Sequence, residues 1–72
     1  MEKLEFNYNR LKGERIAKGF TIQDMANALE ITSAAYSRKE NGKRAITIEE
    51  LAQISNKLGI DDLNIFFILQ VS

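Results

Sequence analysis

Cysteine, histidine and proline are all missing from the 72 residues, and glycine occurs only four times. Without cysteine there is no disulfide and no thiolate metal site. Without histidine the usual general base, most metal sites and a switch near neutral pH are gone. The lack of proline suits an almost wholly helical chain. No run of about 20 apolar residues is present to span a bilayer, and the N-terminus lacks a signal peptide's apolar core. The expectation is one soluble, cytoplasmic domain over residues 1–72, with no membrane contact, no cofactor, no metal and no small-molecule ligand. A chain this short buries only about 60% of its unfolded surface, so its stability margin is thin.

Charge of one sign is not in excess either: ten cations balance ten anions. That balance argues against an indiscriminate polyanion binder. The distribution is uneven, however. Up to Arg44 there are nine cations against six anions, a local excess of +3, whereas from Ala45 onward only Lys57 opposes four carboxylates, a local −3. The basic half is centred near "ITSAAYSRKENGKR", residues 31–44.

Periodicity and caps predict an all-α bundle of five short helices. The first runs from about Tyr8 to Lys18, capped by Asn7 or Asn9, with Leu11 and Ile16 inward and Gly19 ending it. The preceding "LEFNY" is short and ambiguous, with an extended segment folded back on the core as one reading. Thr21 caps a second helix, Ile22 to Leu29, with Asp24 placed for a capping box and Met25, Ala26 and Leu29 on the apolar face. Thr32 caps a third, Ser33 to Asn41, which stops at Gly42. Thr47 and Glu50 form the capping box of a fourth, carrying Ile48, Leu51, Ile54 and Leu58 on one stripe. Asp61 caps a fifth, Asp62 to about Phe67, with Leu63 and Phe66 inward, and "FILQVS" either continues it or becomes extended.

Only Glu30 and Ile31 separate the second helix from the third cap, and so short a link forces the two helices to cross steeply. Small Ala26 permits the close approach, Ile31 plugs the space between them and Tyr36 anchors the third helix. Two short helices joined this way, over about residues 21–41, form a helix-turn-helix.

With these residues in place, "KGFTIQDMANAL", "ITSAAYSRKENGKR" and "TIEELAQISNKLGIDDLNIFF" resemble the lambda repressor and Cro class of helix-turn-helix regulators, the Xre-like family. The likeness covers roughly Leu11 to Phe67, and "FNYNRLKG" resembles small regulators of phage or prophage type. The resemblance implies a sequence-specific, double-stranded DNA-binding transcriptional regulator, a repressor, whose third helix enters the major groove. Carried over by position, the base-facing set is Ser33, Ala34, Ser37 and Arg38, in which short side chains permit close approach and Arg38 reads guanine. The phosphate set is Thr21 at the start of the second helix, Lys39, Asn41, Lys43 and Arg44, with the amides around Gly42. Arg15 and Glu40 match a buried salt bridge that sets the angle of the third helix. Ile22 departs from the family, which often has a glutamine there to brace a phosphate and the recognition helix. Lys39 also departs, replacing an apolar residue.

Each feature has an ordinary reading as well: alanines favour helix, Arg38 is a solvated cation, and Asn-Gly is a turn. The acidic pairs Glu49-Glu50 and Asp61-Asp62 sit in first turns, where anions suit the helix dipole, so no enzyme is expected. The rival function is a protein-interaction module of the same fold, such as an antitoxin, an antirepressor or a regulatory subunit. A homodimer is expected, because one short helix reads only a few base pairs, with Phe67, Ile68, Leu69 and Val71 as its contacts. The alternative is that Phe66 and Leu69 complete the monomer core and the rest of the 68–72 tail frays.

Overall fold

Caps and apolar spacing set four helices close to their expected places. The structure, a computed structural model, describes residues 2–71, with the side chains of residues 2 and 71 outside that description. Helix α1 spans Tyr8–Ala17 and is capped by Asn7, whose side chain accepts from the Arg10 amide. Helix α2 spans Ile22–Leu29 behind a complete Thr21–Asp24 capping box. Helix α3 spans Ser33–Glu40, with Thr32 Oγ1 accepting from the Ala35 amide at 3.1 Å. Helix α4 spans Ile48–Leu58 behind a second complete box, Thr47–Glu50.

The predicted fifth helix is not there. Asp62, not Asp61, caps a single 3-10 turn, Leu63–Phe66, and the chain then extends as strand β2, Phe67–Val71. It pairs antiparallel with β1, Glu2–Phe6, in the register Leu4↔Leu69 and Phe6↔Phe67. The fold is therefore mostly helical with a two-stranded ribbon, not all-α. The reason lies in the residues: aromatic and β-branched side chains in "FFILQV" favour extended backbone. A partner strand from the other end of the chain then satisfies both backbones, which neither terminus achieves alone. The Asn7 amide donates to the Phe66 carbonyl at 2.6 Å and joins ribbon to helices.

Leu11, Met25, Ala26, Leu29, Tyr36, Leu51, Ile54, Leu58 and Phe66 form the buried core. Full burial of one such large side chain contributes about 1.5–3 kcal/mol. Ala26 is wholly buried, and Ile31 packs half-buried against the same cluster, as a tight α2–α3 junction requires. Two inward expectations fail. Ile16 is 57% exposed and Ile48 is 86% exposed. On α1 the buried positions are Leu11 and Arg15, so the helix turns a charged residue inward and Ile16 outward. Ile48 is the first residue of α4, a turn before its stripe reaches the core at Leu51. Leu63, also expected inward, is partly exposed, while Phe66 is buried. No helix among the described residues is long and apolar enough to cross a membrane.

Candidate nucleic-acid interface

The C-terminal end of α3 is held from three directions. Arg15 Nε and Nη2 donate to the two carboxylate oxygens of Glu40 at 2.9 and 3.0 Å, and Arg15 Nη1 donates to the Phe20 carbonyl at 2.9 Å. Both side chains are buried. The fork–fork geometry satisfies both charges away from bulk water, and the hydrogen bond that Arg15 donates to Glu40 raises the guanidinium above its ordinary value. Tyr36 lies one turn before Glu40, fully buried, and its hydroxyl has no hydrogen-bond partner among the described residues. Burial, with Glu40 nearby, pushes its phenol well above the ordinary value.

Lys39 provides the second tie. Its ammonium donates to Glu50 Oε1 and to the Ala45 carbonyl, both at 2.9 Å, and the residue is buried. The same Glu50 oxygen accepts from the Thr47 amide at 2.9 Å. Burial raises the Glu50 carboxyl, but the Thr47 amide and the Lys39 ammonium outweigh it and hold the group below its ordinary value. One carboxylate thus caps α4 and closes a salt bridge to α3. The family departure at Lys39 is a cross-link between helices, with its ammonium engaged inside the fold.

The third tie is the chain itself. The Gly42 amide donates to Lys39, and the Lys43 and Arg44 amides donate to the Arg38 carbonyl at 2.8 and 3.3 Å. Those amides are spent on the end of α3, and the phosphate role expected of the amides around Gly42 does not fit that arrangement. Gly42 adopts φ +77°, the left-handed conformation that glycine takes without penalty.

The N-terminal end of α3 is held more lightly. Ser33 Oγ donates to Gln23 Oε1, and Gln23 Nε2 donates in turn to Asn27 Oδ1 at 2.7 Å. Sequence reasoning weighed the loss of glutamine at Ile22 and missed Gln23. The signal was there: a glutamine one position further on is still in the first turn of α2 and still beside the start of α3. The turn between the helices puts Glu30 at φ 57°, the one non-glycine in the left-handed region among the described residues.

The four expected base-facing residues lie on one helix. Ala34 and Arg38 are exposed, and Ser33 and Ser37 are half-buried. Ser37 Oγ accepts from Asn41 Nδ2 at 3.3 Å, and Arg38 makes no ion pair among the described residues. Asn41, Lys43 and Arg44 follow on the exposed loop after α3, and neither cation is ion-paired among the described residues. Thr21 is otherwise engaged: its hydroxyl accepts from the Asp24 amide at 3.0 Å, and its own amide donates to Asp24 Oδ2 at 2.8 Å. Hydrogen bonds from Thr21 hold the Asp24 carboxyl below its ordinary value. The start of α2 therefore carries its own anion where a phosphate was expected.

The expected dimer contacts divide between the ribbon's two faces. Successive strand residues alternate, so Phe67 and Leu69 share a face with Phe6 and Leu4, while Ile68 lies opposite with Glu5. Leu4, Leu69 and Ile68 are 63%, 55% and 42% exposed. The Phe67 ring is half-buried, edge-on to Phe6 at 5.6 Å. Val71, the fourth, has its side chain outside the described residues.

Comparison with known proteins agrees with this arrangement. A helix-turn-helix family model matches residues 11–62. The chain is 42% identical over 57 residues to the uncharacterized HTH-type transcriptional regulator YqaF of Bacillus subtilis strain 168, covering 79% of this chain and 74% of YqaF. It is 41% identical over 51 residues to the SPbeta prophage-derived uncharacterized HTH-type transcriptional regulator YonR of the same organism, covering 71% of this chain and about half, 47%, of YonR. No solved structure matches. The tight α2–α3 pair, the Arg15–Glu40 clasp and these matches together place the chain in the helix-turn-helix family of Xre/lambda repressor-like domains.

Proposed function

We propose that this domain is a transcriptional repressor that binds double-stranded DNA in a sequence-specific way, with α3 in the major groove. The observation that carries the reading is the character of the exposed α3 surface: small side chains at its N-terminus, Arg38 one turn on, and the exposed cations Lys43 and Arg44 just past its end. Ser33, Ala34, Ser37 and Arg38 face the bases. A bidentate contact of Arg38 with guanine O6 and N7 is worth about 1–3 kcal/mol of discrimination. Asn41, Lys43 and Arg44 grip phosphates, which orients the helix without reading sequence. Thr21 and Lys39 are left out of that set, because both are engaged within the fold. The YqaF and YonR names, both transcriptional regulators, support the same role.

A single α3 covers few base pairs, so the reading includes a homodimer on two half-sites about 34 Å apart, with Leu69 and Ile68 as exposed contacts.

The test is binding to duplex DNA from the protein's own control region at two or more salt concentrations. The expected result is a log–log slope of about −0.9 for each phosphate neutralised, two such phosphates per half-site from Lys43 and Arg44. Sedimentation of the chain alone is expected to give a mass near twice the monomer. No binding at low salt overturns the reading in favour of a protein-interaction module of the same fold.

A further inference from the structure

One aromatic side chain beside the loop after α3 has no part in the scheme above. Tyr8 opens α1, 33 residues before Asn41 in sequence, yet its ring lies against Gly42. A Cβ built on Gly42 would stand 3.1 Å from Tyr8 Cε2, 3.3 Å from Cδ2 and 3.4 Å from Cζ, the carbon that bears the hydroxyl. Glycine at 42 therefore answers two demands, the left-handed backbone and the presence of this ring. The Tyr8 ring is backed by Phe6, with centroids 4.9 Å apart, and Phe6 in turn stacks on Phe66 at 5.8 Å. Phe66 is fully buried, so the row of rings is seated in the core. The Tyr8 hydroxyl makes no hydrogen bond among the described residues and, unlike that of Tyr36, is not a buried orphan. A rigid platform thus brings an uncommitted donor to the edge of the loop that carries Asn41, Lys43 and Arg44. The loop amides cannot supply neutral donors there, because α3 uses those of Gly42, Lys43 and Arg44.

We propose that Tyr8 is a further DNA-contacting residue, its hydroxyl donating to the phosphate oxygen that the residue 41–44 loop engages. This rests on the reading of that loop as a phosphate grip. Tyrosine hydroxyls are regular donors to DNA phosphates, and such contacts fix register without selecting bases. The contact is neutral, so it neither adds to nor subtracts from counterion release.

Tyr8→Phe separates this role from structural support, because it keeps the ring on Gly42 and removes only the donor. The intact chain, Tyr8→Phe and Lys43→Ala are each titrated with the control-region duplex and with an unrelated duplex at several salt concentrations, and each is melted alone. The expected result for Tyr8→Phe is an unchanged melting temperature and an affinity about three- to tenfold weaker, on the scale of one net hydrogen bond. The loss is equal for both duplexes and the salt slope is that of the intact chain, whereas Lys43→Ala flattens the slope by about 0.9. Tyr8→Phe binding as tightly as the intact chain overturns the proposal, and so does a loss confined to the control-region duplex. If the intact chain binds neither duplex at low salt, the reading of the loop itself fails, and Lys43→Ala then has no slope to flatten.

Discussion

The two ends of α3 are built to different specifications. At the C-terminal end, Glu40 is clasped by Arg15, Lys39 is bound to Glu50 and the Ala45 carbonyl, and the loop beyond returns its amides to Arg38 and Lys39. At the N-terminal end, a cap from Thr32 and the Ser33–Gln23 contact are the polar ties, and all of them are exposed. The asymmetry suits the proposed reading, in which one end of α3 enters a groove. The rear is fixed through buried charge, and the front is small and held only by exposed hydrogen bonds. The lesson is that buried polar groups in this domain aim α3 as well as hold the fold together.

The sharpest way to break the contrast is to remove the clasp. Glu40→Ala leaves the Arg15 guanidinium buried with only the Phe20 carbonyl, and an uncompensated buried charge of this kind costs about 3–5 kcal/mol. Total stabilities of small domains are about 5–15 kcal/mol, so little margin is left. The expected outcome in a thermal melt is a fall of about 15 °C or more, with DNA binding lost in step. A melting temperature equal to that of the intact chain would show that the clasp does not anchor the rear of α3.

The second tie is expected to be smaller and to depend on pH. Glu50 is held below its ordinary value of 4.5 in the folded chain, burial being outweighed by the Thr47 amide and the Lys39 ammonium. A carboxyl with a depressed folded value stabilises fully above its unfolded value and loses that contribution as pH falls through the folded one. The window is therefore pH 4.5 and below. Glu50→Gln is expected to lower stability by about 1–3 kcal/mol at neutral pH, the scale of hydrogen bonds to a charged group. Below pH 4.5 the difference from the intact chain shrinks. Denaturant melts at pH 7 and at pH 3.5 measure both. A deficit that stays constant across the two would mean that Lys39 and Glu50 are not coupled.

How much of this was readable beforehand follows the range of the interactions. Helix starts were visible because capping is local: Thr21 with Asp24 and Thr47 with Glu50 lie three residues apart, and both boxes formed as expected. Arg15 and Glu40 are 25 residues apart and were placed only through the family resemblance, which the hydrogen bonds support. The ribbon was not foreseen as a ribbon, since Phe6 and Phe67 lie at opposite ends of the chain and neither run carries a sign of its partner. The Lys39–Glu50 tie was not legible because the two residues are eleven apart and neither carries a local sign of the other. The Gln23–Ser33 bond spans ten residues, and an exposed glutamine at the start of a helix carries no sign of that partner. In each miss, a side chain's chemistry was plain and its partner was not.

The lightest end gives the smallest expected effect and the finest test of the comparison. Ser33→Ala removes the hydroxyl that donates to Gln23, on an exposed surface where substitutions usually stay within about 0.5 kcal/mol. The expected melting temperature is within about 4 °C of the intact chain. DNA binding should respond differently: if Ser33 faces the bases, affinity for the control-region duplex falls while affinity for an unrelated duplex holds, so the ratio between them narrows. Tyr8→Phe leaves that ratio unchanged, and Glu40→Ala removes binding to both, so the three variants give three distinct patterns. A drop in stability for Ser33→Ala as large as that of Glu40→Ala would mean that both ends of α3 carry the fold equally. The front would then be a second anchor, and it would no longer be the free end that a groove requires.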